Sequence, residues 1–233
     1  MMHTKTIGLV GGLSWVSTLE YYRRINQLMN RARGGHYSAH IFIDSVDEGL
    51  FLDAQRKDPS EESCALIIAD AVGRLQAAGA EIVALCANGL HRFLPAIRRR
   101  YPQVEIVDLA VAVAAETAAM NIRRLGILGV EATMSGDFYP RALAEQGMIA
   151  VVPNAAERAE IHDIILDELT RNRFTAASRE YVRAVIGHLD ADAVLLACTE
   201  LPLLVEDAGV GGKAVLSSVE LHCRAITARA LAA

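Results

Sequence analysis

Short apolar runs alternate with amphipathic segments along the chain, and this alternation predicts strands that alternate with helices. The predicted strands cover residues 6–10, 40–43, 81–85, 104–107, 124–128, 149–152 and 193–197. The predicted helices cover residues 17–31, 59–78, 95–100, 111–121, 133–146, 156–169 and 176–189. Ser17 or Thr18 is expected to cap the first helix, because hydroxyl side chains accept from free N–H groups at helix starts. Strands that alternate with helices favour parallel α/β sheets over a sandwich.

The second half of the chain repeats the pattern of the first half. Gly8 in the first apolar run matches Gly126, and Cys86, at the end of a later run, matches Cys198. The repeat predicts an α/β fold of two pseudo-symmetric lobes, each a parallel sheet flanked by helices. We assign residues 1–115 to the first lobe, with residues 210–233 returning to it, and residues 116–209 to the second. Because open α/β sheets bind ligands beyond the carboxyl ends of their strands, the active site is expected in the cleft between the lobes.

Composition and charge exclude several classes of protein. The 233 residues carry a net charge of −5, which argues against a nucleic-acid surface. Apolar runs are too short to cross a membrane, and no signal-peptide pattern is present, so we expect a cytoplasmic protein without a membrane partner. Four cysteines without CxxC spacing are too sparse for a disulfide framework, and no metal site is expected.

Two thiols at matched strand ends suit proton transfer at a stereocentre. One thiolate takes a proton from one face of a carbon while the other thiol delivers a proton to the opposite face, so no cofactor is needed. A lone cysteine after an apolar run is more often an inert core residue, but the duplication of Cys86 and Cys198 favours a function. Cys64 and Cys223 lie inside helical segments and are interpreted as core residues.

Longer motifs resemble those of one family. Residues 11–26, which begin Gly-Gly-Leu-Ser-Trp-Val-Ser, resemble the opening motif of the aspartate/glutamate racemase family. Residues 197–204, Ala-Cys-Thr-Glu-Leu-Pro-Leu-Leu, are similar to its second cysteine motif, and the resemblance covers nearly the whole chain. It implies an isomerase, namely a pyridoxal-phosphate-independent racemase or epimerase. Such an enzyme is expected to be a homodimer that acts on a small amino or carboxylic acid without a cofactor.

The resemblance also implies roles for individual residues. Cys86 and Cys198 are the expected acid/base pair. The expected substrate-binding residues are Ser14, Asn88, Gly89, Thr133, Thr199 and Glu200. Within this set Asn88 and Thr199 hold the substrate carboxylate, and Glu200 supports Cys198. His91 is either a donor behind Cys86 or a packing residue.

The first cysteine motif departs from the family pattern. The family commonly has Cys-Thr-Asn-Thr-x-His, whereas residues 86–91 read Cys-Ala-Asn-Gly-Leu-His. Two hydroxyl groups are therefore missing, and each lost hydrogen bond typically costs about 1–3 kcal/mol. Aspartate, glutamate or a related amino acid is the expected substrate. The alternatives are another enzyme of the superfamily, such as a hydantoin racemase or a maleate isomerase-like enzyme, and a non-catalytic protein that binds small acids.

Overall fold

The computed structural model describes residues 4–206 and 208–232, which divide into two compact units. The first unit contains the residues up to Asp108 and those from His222 onwards, and the second unit is the continuous segment Leu109–Leu221. The sequence placed the first boundary after residue 115 and returned residues 210–233 to the first lobe. The structure places the boundary after Asp108 and starts the return at His222. The difference arises because the strand Lys213–Ser217 pairs within the second unit.

The first unit contains one four-stranded sheet. Its elements are β1 (Ile7–Gly11), α1 (Trp15–Arg33), β2 (Ile41–Ser45), α2 (Glu48–Lys57), α3 (Glu62–Ala77), β3 (Ile82–Leu85), α4 (Leu94–Arg100) and β4 (Glu105–Ile106). The strand order is β2-β1-β3-β4, and all neighbouring strands are parallel. A 3₁₀ turn at Asn88–Phe93 separates Cys86 from α4.

The second unit contains a five-stranded sheet. Its elements are α5 (Leu109–Ala119), β5 (Arg124–Leu128), α6 (Glu131–Met134), α7 (Phe138–Ala144), β6 (Ile149–Val151), α8 (Ala155–Asp163), α9 (Ala176–His188), β7 (Ala193–Leu196), α10 (Leu201–Val205), β8 (Gly209–Val210), β9 (Lys213–Ser217) and α11 (Ser218–Leu231). The order is β6-β5-β7-β9-β8, with all neighbours parallel except β8 and β9. Helix α11 begins in the second unit and continues into the first.

The two sheets share one strand order. The order β2-β1-β3-β4 in the first unit corresponds to β6-β5-β7-β9 in the second. Cys86 directly follows β3, and Cys198 lies two residues beyond β7, so the two thiols follow corresponding strands. The predicted α/β class, with two units of parallel sheet flanked by helices, is confirmed.

The central strands are buried on both faces, which explains their continuous apolar sequences. In the second unit, Val194 and Leu196 pack into one core cluster, whereas Ala193 and Leu195 pack into another. The first cluster contains buried residues of α9, and the second contains buried residues of α5 and α7. Successive side chains of β7 therefore point to opposite faces of the sheet. Packing on both faces fixes the position of the strand end that precedes Cys198.

Some local elements differ from the sequence prediction. The predicted helix 133–146 is two short helices, α6 and α7, and Gly136 lies in the break, in keeping with the low helix propensity of glycine. Helix α2 was not predicted, because Phe51 is its one buried side chain and Leu50 is exposed, so it lacks a clear apolar stripe. No helix within the described residues is long and apolar enough to cross a membrane.

Candidate active site

Cys86 is held by its backbone at the end of β3. Its side chain is buried, and its N–H donates to the carbonyl of Val10 over 2.9 Å. The Cys86 carbonyl accepts from the hydroxyl of Ser17 on α1. Ser14 is the residue that caps α1, and its Oγ accepts from the Ser17 N–H over 3.4 Å. The predicted site residue Ser14 is thus linked to Cys86 through Ser17.

The structure corrects the predicted cap of α1. Ser17 and Thr18 lie inside the helix, and neither of them caps it. The Thr18 hydroxyl accepts from the N–H of Gly12 over 2.8 Å, while Ser17 contacts Cys86. Sequence analysis missed this contact of Ser17. The available signal was a pair of hydroxyl residues on the buried face of an amphipathic helix directly after the glycine loop.

The turn after Cys86 carries two of the predicted substrate-binding residues. Asn88 is buried, and the carbonyl of Gly89 accepts from the guanidinium of Arg92. His91 is buried in the same turn, and its Nδ1 lies 3.2 Å from the carbonyls of Ala87 and Asn88. Since carbonyl oxygens only accept, Nδ1 carries the proton. Burial lowers the pKa of His91, so its ring is neutral.

A second buried histidine, His222 of α11, packs beside this turn. Its Nε2 donates to the carbonyl of Val107 over 2.8 Å, and its Nδ1 accepts from the Tyr21 hydroxyl over 2.9 Å. Burial, with a smaller contribution from nearby His91, lowers the pKa of His222 to about 3. Both ring nitrogens are occupied by protein groups, and the His222 ring packs edge-on against the ring of His91.

In the second unit, Cys198 is held through its side chain. Its Sγ–H donates to Oε2 of Glu200 over 3.0 Å, and the Thr199 hydroxyl donates to the same oxygen over 2.6 Å. Cys198 and Glu200 are both buried. Within residues 4–206 and 208–232, no basic side chain forms an ion pair with Glu200. An unpaired buried charge is costly in free energy, which makes Glu200 a candidate ligand contact.

Thr133 on α6 is packed toward the chain segment that leads to Cys198. A Cβ at Gly129 would lie 2.8 Å from the carbonyl of Ala197 and 3.4 Å from the Cβ of Thr133. Glycine at this position therefore permits a close approach between the ends of β5 and β7. Thr133 is 1% exposed, and its hydroxyl lacks a hydrogen-bond partner among the described residues. A buried hydroxyl without a partner is costly, which makes it a candidate ligand contact.

Electrostatics keep both thiols protonated in the ligand-free protein. Burial raises the pKa of Cys86. Burial also raises the pKa of Cys198, and the charge of Glu200 raises it further, against the opposing backbone N–H groups of Glu200 and Leu201. Among residues 4–206 and 208–232, no basic side chain contributes to lowering either pKa. Nearby positive charge or hydrogen-bond donors would lower the pKa of either thiol.

The predicted site residues form one group in each unit. The first unit holds Ser14, Cys86, Asn88 and Gly89, and the second unit holds Thr133, Cys198, Thr199 and Glu200. Of these residues, Glu200 has a described hydrogen bond to a thiol sulfur, that of Cys198. Among the described residues, no three His, Cys, Asp or Glu side chains come together in a way that would hold a metal ion.

Solved structures with similar sequences have the same fold. A putative Asp/Glu racemase from Yersinia pestis is 32% identical, with a TM-score of 0.90 over 97% of this chain and 99% of that chain. An aspartate racemase homologue from Pyrococcus horikoshii is 31% identical, with a TM-score of 0.82 and the same coverage. Glutamate racemase isoform RacE1 from Bacillus anthracis, 15% identical, shares the fold, with a TM-score of 0.64 over 98% of this chain and 82% of that chain.

The match to a protein family extends over most of the chain. The family model described as Asp/Glu/hydantoin racemase matches residues 10–226, a range that contains both cysteines and their surrounding polar residues. The sequence resemblance and the two-unit α/β fold agree with this match. The chain therefore belongs to the Asp/Glu/hydantoin racemase family and is an isomerase of the racemase type.

Proposed function

We propose that the protein is a cofactor-independent amino-acid racemase or epimerase in which Cys86 and Cys198 transfer the α-proton. Aspartate, glutamate or a related amino acid is the proposed substrate, in line with the names of its structural relatives. The observation that carries the proposal is the pair of buried thiols after corresponding strands, one of them hydrogen-bonded to a buried carboxylate.

The proposed reaction balances without an external reagent. The thiolate of one cysteine takes the α-proton and becomes a thiol, and the electron pair left on the α-carbon delocalises into the substrate carboxylate. The thiol of the other cysteine then gives its proton to the opposite face of that carbon and becomes a thiolate. The two cysteines have exchanged roles, and the enzyme is ready for the enantiomer it has just made.

In this proposal the substrate supplies the positive charge that the thiols lack. The buried carboxylate of Glu200, which has no basic partner in the described part of the chain, attracts the α-ammonium group of an amino acid. A cation at this position offsets the charge of Glu200 and lowers the pKa of a nearby thiol. A hydantoin is uncharged at the corresponding nitrogen and maleate has no ammonium group, so Glu200 favours an amino-acid substrate over these alternatives.

Polar groups in both units are proposed to hold the substrate carboxylate. The hydroxyl of Thr133 is the strongest candidate, because it is buried and gains its hydrogen bond only when a ligand arrives. Asn88 and Thr199 are the further proposed contacts, each within two residues of a thiol. Ser14 and Gly89 are proposed to line the first half of the site through the segments that hold Cys86.

Proton NMR in D₂O tests the proposal. Purified protein is incubated with L- and D-aspartate, L- and D-glutamate and a panel of other amino acids, and the α-proton signal and the enantiomer ratio are followed. We expect the wild type to exchange the α-proton and to invert the α-carbon. In Cys86→Ser and Cys198→Ser both processes should be slower than in the wild type. Cys64→Ser, a buried thiol outside both groups, is the matched control and should keep its activity.

The outcomes separate the alternatives. Turnover of hydantoins or maleate without amino-acid turnover would replace the proposed substrate and leave a different member of the superfamily. Thermal stabilisation by amino acids without any α-proton exchange would indicate a non-catalytic binding protein. Wild-type rates in both cysteine variants would disprove the two-thiol mechanism.

The proposal includes a cytoplasmic homodimer, as the family resemblance implies. Light scattering on the purified protein should give twice the mass of one chain. A monomer that racemises at full rate would remove the dimer from the proposal and leave the chemistry intact.

A further inference from the structure

Arg92 makes three directed contacts in the turn that follows Cys86. Its Nε donates to Oε2 of Glu61 over 2.8 Å, and its Nη2 donates to Oε1 of Glu61 over 2.7 Å. Its Nη1 donates to the carbonyl of Gly89. The guanidinium therefore forms a two-pronged ion pair on one side and holds a main-chain oxygen of the turn on the other.

Glu61 is itself fixed from a third segment. It precedes α3, and its Oε1 also accepts from Nε2 of Gln55, on α2, over 2.8 Å. The contacts with Arg92 are the largest cause of the lowered pKa of Glu61, so the residue is a carboxylate at neutral pH. The turn after Cys86 is thus tied, through Arg92 and Glu61, to the two helices that precede β3.

Nη1 of Arg92 lies close to the space that a side chain at position 89 would occupy. A Cβ at Gly89 would lie 3.2 Å from Nη1 of Arg92, closer than an ordinary van der Waals contact. Glycine also gives a chain more conformational freedom than any other residue. The Gly89 carbonyl belongs to the peptide that joins Gly89 to Leu90, so Arg92 restrains the backbone one residue beyond Asn88. Arg92 supplies the restraint that a side chain at position 89 would have given.

On the basis of the proposed function, we propose that Arg92, held by Glu61, is a positioning residue that fixes the Cys86–Gly89 segment for substrate binding. Arg92 does not touch the reacting atoms in this proposal. It acts through the carbonyl of Gly89 on the orientation of Asn88 and on the mobility of the segment that carries the thiol. The side chains of Arg92 and Glu61 are 21% and 30% exposed, and ion pairs this exposed contribute little to stability. The main effect is therefore expected on catalysis.

A charge swap separates positioning from stability. In the double variant Glu61→Arg/Arg92→Glu the two charges still attract each other, but residue 92 can no longer donate to the Gly89 carbonyl. Arg92→Lys keeps the charge and loses the planar fork that serves two acceptors at once. The matched control is Lys5→Gln, which removes a similarly exposed ion pair with Glu105 in the same unit.

Three measurements are made on each full-length variant: the melting temperature, hydrogen–deuterium exchange of the peptide that spans residues 86–93, and kcat and KM for racemisation. For the swap and for Arg92→Lys we expect faster amide exchange in this peptide and kcat/KM lowered roughly tenfold or more, since small misplacements are costly in catalysis. We expect Lys5→Gln to match the wild type in both. The swap is expected to melt close to the wild type.

Each outcome decides one of the two proposals. Wild-type exchange and wild-type kcat/KM in the swap would overturn the positioning role of Arg92. A wild type that racemises no amino acid would overturn the proposed function, and amide exchange in residues 86–93 would still decide whether Arg92 fixes the segment.

Discussion

The two strand ends that carry the thiols share a framework and differ in chemistry. Cys86 follows β3 and is held through its backbone by Val10 and Ser17. Cys198 follows β7 and is held through its sulfur by Glu200. The duplicated strand order places a thiol at the same point of each unit, and the residues after the strand then determine how readily that thiol ionises.

This difference makes the two thiols unequal before any substrate binds. Burial alone raises the pKa of Cys86, whereas Cys198 also experiences the negative charge of Glu200. Cys198 is therefore the thiol whose ionisation depends most on the arrival of a cation. In the proposed mechanism, a reaction that is symmetric for the two enantiomers runs on two unequal thiols, and the substrate carries the compensating charge.

The largest expected effect comes from removing either thiol. Cys86→Ala and Cys198→Ala should each lower the racemisation rate by about 10²- to 10⁴-fold, the usual contribution of a general acid or base. Each variant keeps one thiol on one side of the substrate, so each should still exchange the α-proton of one enantiomer, and the two variants should exchange opposite enantiomers. NMR in D₂O with separate L and D substrates measures this. Exchange of the same enantiomer by both variants would contradict the assignment of one thiol to each face.

Acid should destabilise the protein through His222, one of two buried histidines described in the first unit. The pKa of His222 is about 3 in the folded protein and near 6.5 when exposed, so the unfolded chain binds an extra proton between these values. The stability that neutral His222 contributes is complete above pH 6.5 and is lost as the pH falls toward 3.

Unfolding curves measured at several pH values from 7 to 4 test this sign. As the pH is lowered from 7 to 4, we expect the midpoint of unfolding to decrease in the wild type. In His222→Gln it should decrease less steeply. Equal slopes in the two proteins would rule out His222 as the origin.

A smaller effect is expected from Glu200→Gln, and it should change the reactivity of Cys198 but not that of Cys86. Removing the negative charge lowers the pKa of Cys198, so iodoacetamide should alkylate Cys198 faster at about pH 8.5, while Cys86 reacts at an unchanged rate. The KM for an amino acid should rise about tenfold or more, because a charged hydrogen bond to the ammonium group is lost. Mass spectrometry of the two cysteine peptides and steady-state kinetics give both readings. An unchanged Cys198 rate would mean that Glu200 does not control this thiol.

The smallest effect has opposite signs for stability and binding. Thr133→Val keeps the shape of the side chain and removes a buried hydroxyl that has no partner among the described residues. The free energy of unfolding should rise by up to about 1 kcal/mol, because the substitution removes the cost of burying the Thr133 hydroxyl without a hydrogen bond. The KM should rise severalfold because the substrate carboxylate loses a donor. Thr133→Ser, which keeps the hydroxyl, should raise the KM less than Thr133→Val. Lower stability and an unchanged KM in Thr133→Val would refute the proposal that the Thr133 hydroxyl binds the substrate carboxylate.

Much of the fold was predictable because buried parallel strands have conspicuous sequences. Runs such as Ile82–Leu85 and Ala193–Leu196 are apolar on both faces, and each stops where the chain leaves the sheet at a cysteine. The duplicated cysteines and the glycine loop before α1 then located the two halves of the candidate site. These features are local in sequence, so a single chain was sufficient to find them.

The contacts between distant segments were not predictable in this way. Nothing near Arg92 in sequence indicates that Glu61 will hold it, because the pair joins a turn to a helix start 31 residues away. The pairing of β9 with β7 was not predictable for the same reason, since it depends on register between strands that are distant in sequence. The cap at Ser14 was missed because Ser14, Ser17 and Thr18 are all chemically able to cap a helix.

The connection of the two units has a consequence for the order in which the protein is made. The second unit is one uninterrupted segment, Leu109–Leu221, whereas the first unit is completed only by residues that follow it. Lys5 donates its main-chain N–H to the carbonyl of Ala230, and the hydroxyl of Tyr21 donates to Nδ1 of His222. On the ribosome the segment of the second unit is therefore complete before the helix that finishes the first unit has been synthesised. The surroundings of Cys86 can therefore close only after His222 and the residues that follow it have been synthesised, more than a hundred residues after Asp108.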